Sequence, residues 1–235
     1  MHSVPHDDRF DLDGEWRFQL LGHPDAMPLP GEWGTAGVPG CWTMQGFGDL
    51  PQYTNVMMPF AALPPDVPEA NPTGVYEREF TIPVRWTGRR VVLHVGAAES
   101  VLIVALNGRE IGVSKDSHLA AEFDITDHLR PGSNLLGLRV VKWSDATYVE
   151  DQDQWWHGGI TRSVFLYATH SVYLADIHAQ AVLVAAGRGG TLDLRVEVAS
   201  SGAALTPGWK VEAHLEGLDE PLRAVIAGEI PGGPA

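Results

Sequence analysis

Two places in the sequence carry side chains whose types and spacing could do chemistry. One is Asn71, in Asn71-Pro72-Thr73-Gly74-Val75-Tyr76. Its amide can donate and accept at once, which suits neighbouring hydroxyl groups such as those of a sugar ring. A residue before proline is pushed toward extended backbone. Read locally, the same residues make an ordinary turn, because Asn, Pro and Gly dominate turns. The other place is the acidic run Glu150, Asp151 and Asp153, inside Trp143-Ser144-Asp145-Ala146-Thr147-Tyr148-Val149-Glu150-Asp151-Gln152-Asp153-Gln154-Trp155. Acidic clusters are usually solvated surface. Here bulky residues flank the acids, Thr147-Tyr148-Val149 before and Trp155-Trp156-His157 after, so partial burial at an interface is expected. Of the two adjacent tryptophans, one is expected to pack inward and one to line a cleft.

Other chemistries find little support. Of the ten histidines only His2 and His6 stand four apart, and Pro5 between them breaks a helix, so a zinc site is not expected. Ser100, Ser114 and Ser117 lack the context of a nucleophile elbow. Gly187-Arg188-Gly189-Gly190 lies between strand-like runs, where a turn explains it. The formal charge is −14, and an acidic surface repels phosphate, so nucleic acid is not an expected partner. A single cysteine, Cys41, excludes an internal disulfide and fits a reducing cytoplasm. The first ten residues lack the basic and apolar regions of a signal peptide. No stretch approaches the roughly 20 apolar residues of a membrane helix.

The elements that must position these side chains read as strands. Short runs rich in Val, Ile, Leu, Phe and Tyr recur, separated by Gly, Pro, Asn and Asp, which predicts an all-β sandwich or barrel. The clearest runs are Trp16–Leu20, Val75–Ile82, Arg90–Val95, Val101–Leu106, Asn134–Trp143 and Ser163–Tyr167. Weaker ones are Val172–Val184, Leu192–Val198 and Lys210–Leu215. Asn107-Gly108 supplies the two positive-φ residues of a type I′ turn, so Val101–Leu106 and Arg109–Val113 form a hairpin. Arg130-Pro131-Gly132-Ser133 signals a second turn. Residues 22–74 are rich in Pro and Gly yet carry Trp33, Trp42, Phe47, Tyr53 and Phe60. They are expected to be long ordered connections that wrap over the sandwich. A boundary falls near residues 168–172. The part after it is shorter than the roughly 100 residues of an immunoglobulin-like sandwich, so the second domain reads as cut short.

Three segments are more specific than composition: first the one around Asn71, second Ala121-Glu122-Phe123-Asp124-Ile125-Thr126, and third the one from Trp143 to Trp155 with Gly159-Ile160-Thr161-Arg162 after it. In this order and spacing they resemble the N-terminal region of the β-galactosidases of glycoside hydrolase family 2. Gly14-Glu15-Trp16-Arg17-Phe18, Pro39-Gly40-Cys41-Trp42 and Tyr53-Thr54-Asn55-Val56 agree more weakly. The resemblance covers about residues 13–180. It implies an all-β chain: a galactose-binding-like jelly-roll β-sandwich over residues 1–169, then a partial immunoglobulin-like β-sandwich over 170–235. It also implies a (β/α)₈ barrel that would hold the catalytic carboxylates and is missing from this chain.

The resemblance further implies roles. Asn71 would reach into the galactosyl pocket. Asp153 would bind substrate and ligate a sodium ion beside it, and magnesium would enter only through the missing barrel. No cofactor is expected to be required by this chain alone. Glu150, Asp151 and Asp153 are not expected to be the catalytic pair, because a retaining glycosidase needs carboxyls that flank the scissile bond. This chain has Trp156 where the family commonly has a basic or small polar residue, and His118 where it commonly has Arg; a structural role is expected for His118.

Three readings of function follow. The first is the front part of a retaining β-galactosidase acting on terminal β-D-galactosides, inactive without its barrel. The second is a free-standing carbohydrate-binding module. The third is an assembly domain, with the oligomeric state left open.

Overall fold

The computed structural model describes residues 8–55, 57–183, 189–202 and 208–214, and the backbone of 222–225. Residues 1–7, Val56, Val184, Gly187, Arg188, Leu215 and the tail 226–235, all touched by the sequence reading, lie outside the described residues.

In chain order the strands are β1 (Arg9–Asp11), β2 (Gly14–Leu21), β3 (Gly34–Val38), β4 (Gly40–Cys41) and β5 (Gln52–Tyr53). Next come β6 (Thr73–Thr81), β7 (Arg90–Val95), β8 (Ala98–Glu99), β9 (Val101–Leu106) and β10 (Arg109–Ser114). Then follow β11 (Ala121–Asp124), β12 (Ser133–Val141), β13 (Trp155–Trp156), β14 (Gly159–Ile160) and β15 (Val164–Thr169). The last are β16 (Val172–Leu183), β17 (Gly190–Ser200), β18 (Lys210–Ala213) and β19 (Leu222–Val225). The chain divides into two compact units, Met1–Ala168 and Thr169–Ala235. Among the described residues no helix is long and apolar enough to cross a membrane.

The first unit is a sandwich. A six-stranded sheet runs β10-β9-β12-β6-β2-β3, and a four-stranded sheet runs β1-β15-β7-β11. Strand alternation explains the packing. Along β12, Asn134, Leu136, Leu138 and Val140 are buried while their neighbours are more exposed. Along β9, Leu102, Val104 and Leu106 do the same. These meet Leu93, Val95, Val164 and Leu166 of the other sheet in one apolar core that also holds Trp16, Phe18 and Tyr76. Each such Val, Leu or Phe contributes about 1.5–3 kcal/mol by leaving water.

The expected hairpin is present. Asn107 and Gly108 have φ of 55° and 80°, as a type I′ turn requires. Asn107 also ties the turn inward. Its amide donates to the His128 carbonyl at 3.0 Å and to Asn134 Oδ1 at 2.9 Å. Asp8 locks β1 against the end of β15: its carboxylate binds Arg89 and Arg85, and Arg89 also donates to the Ala168 carbonyl at 3.1 Å. The Arg89 and Arg85 guanidiniums hold the Asp8 carboxyl down at about 2.

Residues 22–74, expected as long ordered connections, also contribute strands. They contain β3, which extends the six-stranded sheet, and β4 and β5, which build small sheets elsewhere. Strands of two to five residues are too short to display a period of two, and glycines in β3 and β4 weaken the pattern further, so periodicity misses them.

In the second unit, β16 pairs with β17 and β18 with β19, both antiparallel. Leu192, Leu194, Val196 and Val198 alternate with Thr191, Asp193, Arg195 and Glu197, as expected of a sheet with one apolar face.

Candidate functional site

The site grows from two small sheets at the edge of the sandwich. In one, β14 lies between β4 and β8. In the other, β5 pairs with β13, Tyr53 opposite Trp155 and Gln52 opposite Trp156. Together they dock the segment from Trp143 to Ile160 onto residues 40–66.

Trp42 is the pivot of this docking and is fully buried. A Cβ on Gly158 would stand 2.1 Å from its ring, and one on Gly74 would stand 2.8 Å away. Both glycines are therefore required by the approach of one indole. Gly159, at φ +136°, could not carry a side chain either, because a Cβ would meet the Gly40 carbonyl at 2.6 Å.

Asn71 is buried, and its amide clasps the backbone of Trp143. Nδ2 donates to the Trp143 carbonyl at 2.8 Å, and Oδ1 accepts from the Trp143 N–H at 2.9 Å. The Trp143 ring stacks on Trp156, with centroids 5.6 Å apart and planes 18° apart. Trp156 is buried and its indole N–H donates to the Lys142 carbonyl at 3.1 Å. Trp155 is 57% exposed and leans on the ring of Tyr53 at 5.6 Å. Trp156 thus packs inward, as the sequence reading expects of one of the pair, while Trp155 lies on the surface.

The three acids part company. Glu150 accepts from the N–H and hydroxyl of Ser117, at 3.1 and 2.5 Å. Asp151 accepts from the Thr54 hydroxyl at 2.6 Å. Asp153 is exposed, and its Oδ1 accepts from the Tyr53 hydroxyl. Each carboxylate is drawn to a different partner. Asp153 Oδ2 makes no hydrogen bond within the described residues, and Asn55 donates to the Tyr53 hydroxyl at 3.4 Å beside it. An exposed carboxylate on the hydroxyl of a tyrosine whose ring packs on an exposed tryptophan gives a surface that can meet both the hydroxyls and the C–H face of a pyranose.

Asn71 and Asp153 do not hydrogen-bond to each other. They are joined through Trp143, the stacked Trp156, its neighbour Trp155 and Tyr53. The first and third sequence segments therefore meet at this edge. The second, Ala121–Thr126, serves the opposite sheet, where β11 pairs with β7 and the Thr126 hydroxyl accepts from the Val91 N–H at 2.9 Å. His118 pairs with Gln154 at 3.2 Å, inside the same loop cluster.

Behind the exposed rim lie charged groups that the sequence reading passed over. Lys142 is fully buried and donates to Asp49 Oδ1 and Oδ2 at 2.9 and 2.8 Å and to the Leu50 carbonyl at 3.0 Å. Burial pushes its pKa down, while the hydrogen-bonded Asp49 opposes the change. Glu99 is 4% exposed and accepts from the His157 N–H at 3.1 Å. Burial pushes its carboxyl up to about 7, against the pull of that N–H and of Lys142. His157 shares a 2.9 Å hydrogen bond with the Thr43 hydroxyl, and burial lowers its pKa. A lone Lys or Glu in a strand-like run reads as surface, so no local signal marks these groups. Among the described residues no cluster of three His, Cys, Asp or Glu could hold a metal ion.

The family model for the sugar binding domain of glycosyl hydrolases family 2 matches residues 10–170. The chain belongs to glycosyl hydrolase family 2. Among family members, a β-galactosidase from Psychromonas ingrahamii is 39% identical over 203 residues, covering 83% of this chain and 20% of the relative. A β-galactosidase from Arthrobacter sp. is 43% identical, covering 71% of this chain and 19% of the relative. The chain spans about a fifth of the length of these curated relatives. In fold it resembles Bifidobacterium dentium β-glucuronidase, with a TM-score of 0.66 at 23% identity, covering 97% of this chain and 42% of that one. The family's sugar-binding domain is thus the sandwich that carries Asn71, Asp153 and the paired tryptophans.

Proposed function

We propose that this chain completes the substrate pocket of a retaining β-galactosidase whose catalytic carboxylates lie in a barrel domain outside it. The observation that carries the reading is the Asp153 carboxylate, exposed and held by the hydroxyl of Tyr53, whose ring packs on the exposed Trp155. Its relatives of about 40% identity are named β-galactosidases, which favours a galactoside over the other substrates the fold accepts.

Asp153 would supply one oxygen to a sodium ion, a hard cation that takes several oxygen ligands, and the barrel would supply others. When bound, such an ion offers a positive centre for a sugar hydroxyl. Any magnesium would be held by the barrel. Asn71 would act from within, holding the backbone of Trp143 and so the acidic loop in place. Partners would be the β-galactoside, the barrel domain and a second copy of the enzyme, without nucleic acid or membrane. A single cysteine suits a reducing cytoplasm.

The isolated chain is expected not to hydrolyse a nitrophenyl β-galactoside, while the enzyme that contains it does so with retention. Turnover by the purified chain would overturn the reading. Calorimetric titration with lactose separates the module reading: saturable binding by the chain alone favours a stand-alone module, and its absence favours a shared pocket.

A further inference from the structure

We infer that Lys142 is a positioning residue for the Asp153 carboxylate. The inference deepens the sugar-pocket reading and draws its functional meaning from it. The geometry is a closed circuit. Lys142 stands just after β12, the central strand between β9 and β6, so its backbone is fixed by the sandwich. Its ammonium has three donors, and three oxygens take them: both carboxylate oxygens of Asp49 and the Leu50 carbonyl. Asp49 Oδ2 also accepts from the indole N–H of Trp42 at 2.8 Å. Residues 49 and 50 run directly into β5, whose Tyr53 holds Asp153. β5 pairs with β13, and Trp156 of β13 donates back to the Lys142 carbonyl. One residue therefore fixes both strands of the small sheet, through its side chain on one and its carbonyl on the other.

The chemistry favours positioning over mere stability. A buried ion pair contributes little net stability against a well-packed apolar pair of the same shape, because desolvation offsets the attraction. What it supplies is direction, since a fully satisfied ammonium tolerates few placements of its partners. β5 has only two residues and one short partner, too little to fix its own place. Without Lys142 the Tyr53 hydroxyl loses the anchor that aims it at Asp153.

The test uses the whole chain labelled with ¹³C at the tyrosine ring carbon that bears the hydroxyl, with the Tyr53 resonance assigned by Tyr53→Phe. Asp153→Ala sets the displacement produced when the acceptor is lost. Lys142→Met is expected to move the Tyr53 resonance by most of that displacement, and Lys142→Arg to leave it near the wild-type position. Removing one partner of a buried pair can prevent folding, so the charge-neutral pair Lys142→Met with Asp49→Asn is measured as well and is expected to move the resonance likewise. A lysine that only stabilises would lower the unfolding midpoint and leave the resonance in place, which would overturn the inference. Sodium dependence of the full enzyme keeps the two claims apart. If Asp153→Ala leaves galactoside hydrolysis by the full enzyme and its sodium dependence unchanged, the sodium role of Asp153 fails, and the lysine result stands or falls on its own.

Discussion

Glu99→Gln should make the protein more stable above neutral pH and remove most of a pH dependence that the wild type shows between about pH 4.5 and 7. The carboxyl is 4% exposed, and burial raises it from 4.5 to about 7. Each pH unit of displacement is about 1.4 kcal/mol, so the native state favours the protonated form by about 3 kcal/mol relative to the unfolded chain. The sign follows from proton counting. Between pH 4.5 and 7 the unfolded chain has lost this proton and the native protein keeps it, so stability falls as pH rises through that window and levels off above 7. Glutamine stands in for the protonated acid. Its side-chain oxygen can still accept the His157 N–H that Glu99 binds at 3.1 Å. His157, whose pKa is lowered by burial, acts with the opposite sign below about pH 6.5, where the unfolded chain binds the extra proton. Subtracting variant from wild type cancels that contribution. The assay is urea unfolding followed by tryptophan fluorescence, at several pH values from about 5 to 8. The variant should gain up to about 3 kcal/mol over wild type above pH 7 and little near pH 4.5. Parallel curves across the window would refute the reasoning, because they would mean that Glu99 ionises equally in both states.

Asn71→Ala leaves the buried N–H and C=O of Trp143 without partners. Each unmet group costs about 1–3 kcal/mol, so the unfolding midpoint in urea should fall, and the near-ultraviolet circular dichroism of the stacked Trp143 and Trp156 should weaken. Gly158→Ala drives a methyl into the Trp42 ring and should cost at least about 1–3 kcal/mol by thermal unfolding. Gly108→Ala, at a φ of 80° but with open space around it, should cost less.

Much of the fold is local in origin and was legible in the sequence. Alternation along Asn134–Val141 marks a buried strand because side chains on a strand take opposite faces. Asn107-Gly108 specifies its turn because those two residues tolerate positive φ. Asn71 and Asp153 stood out through the company of their segments, and both segments do meet at one edge of the sandwich. Only the tertiary structure decided what each side chain touches there. The partner of Asp153 is Tyr53, the partner of Lys142 is Asp49, and the carboxyl behind His157 is Glu99. Each pair joins residues far apart in the chain, brought together by strand pairings that bury side chains which alone would stay in water. A sequence carries the pattern of a strand in every few residues, but the cost or benefit of a buried charge exists only once its partner has arrived.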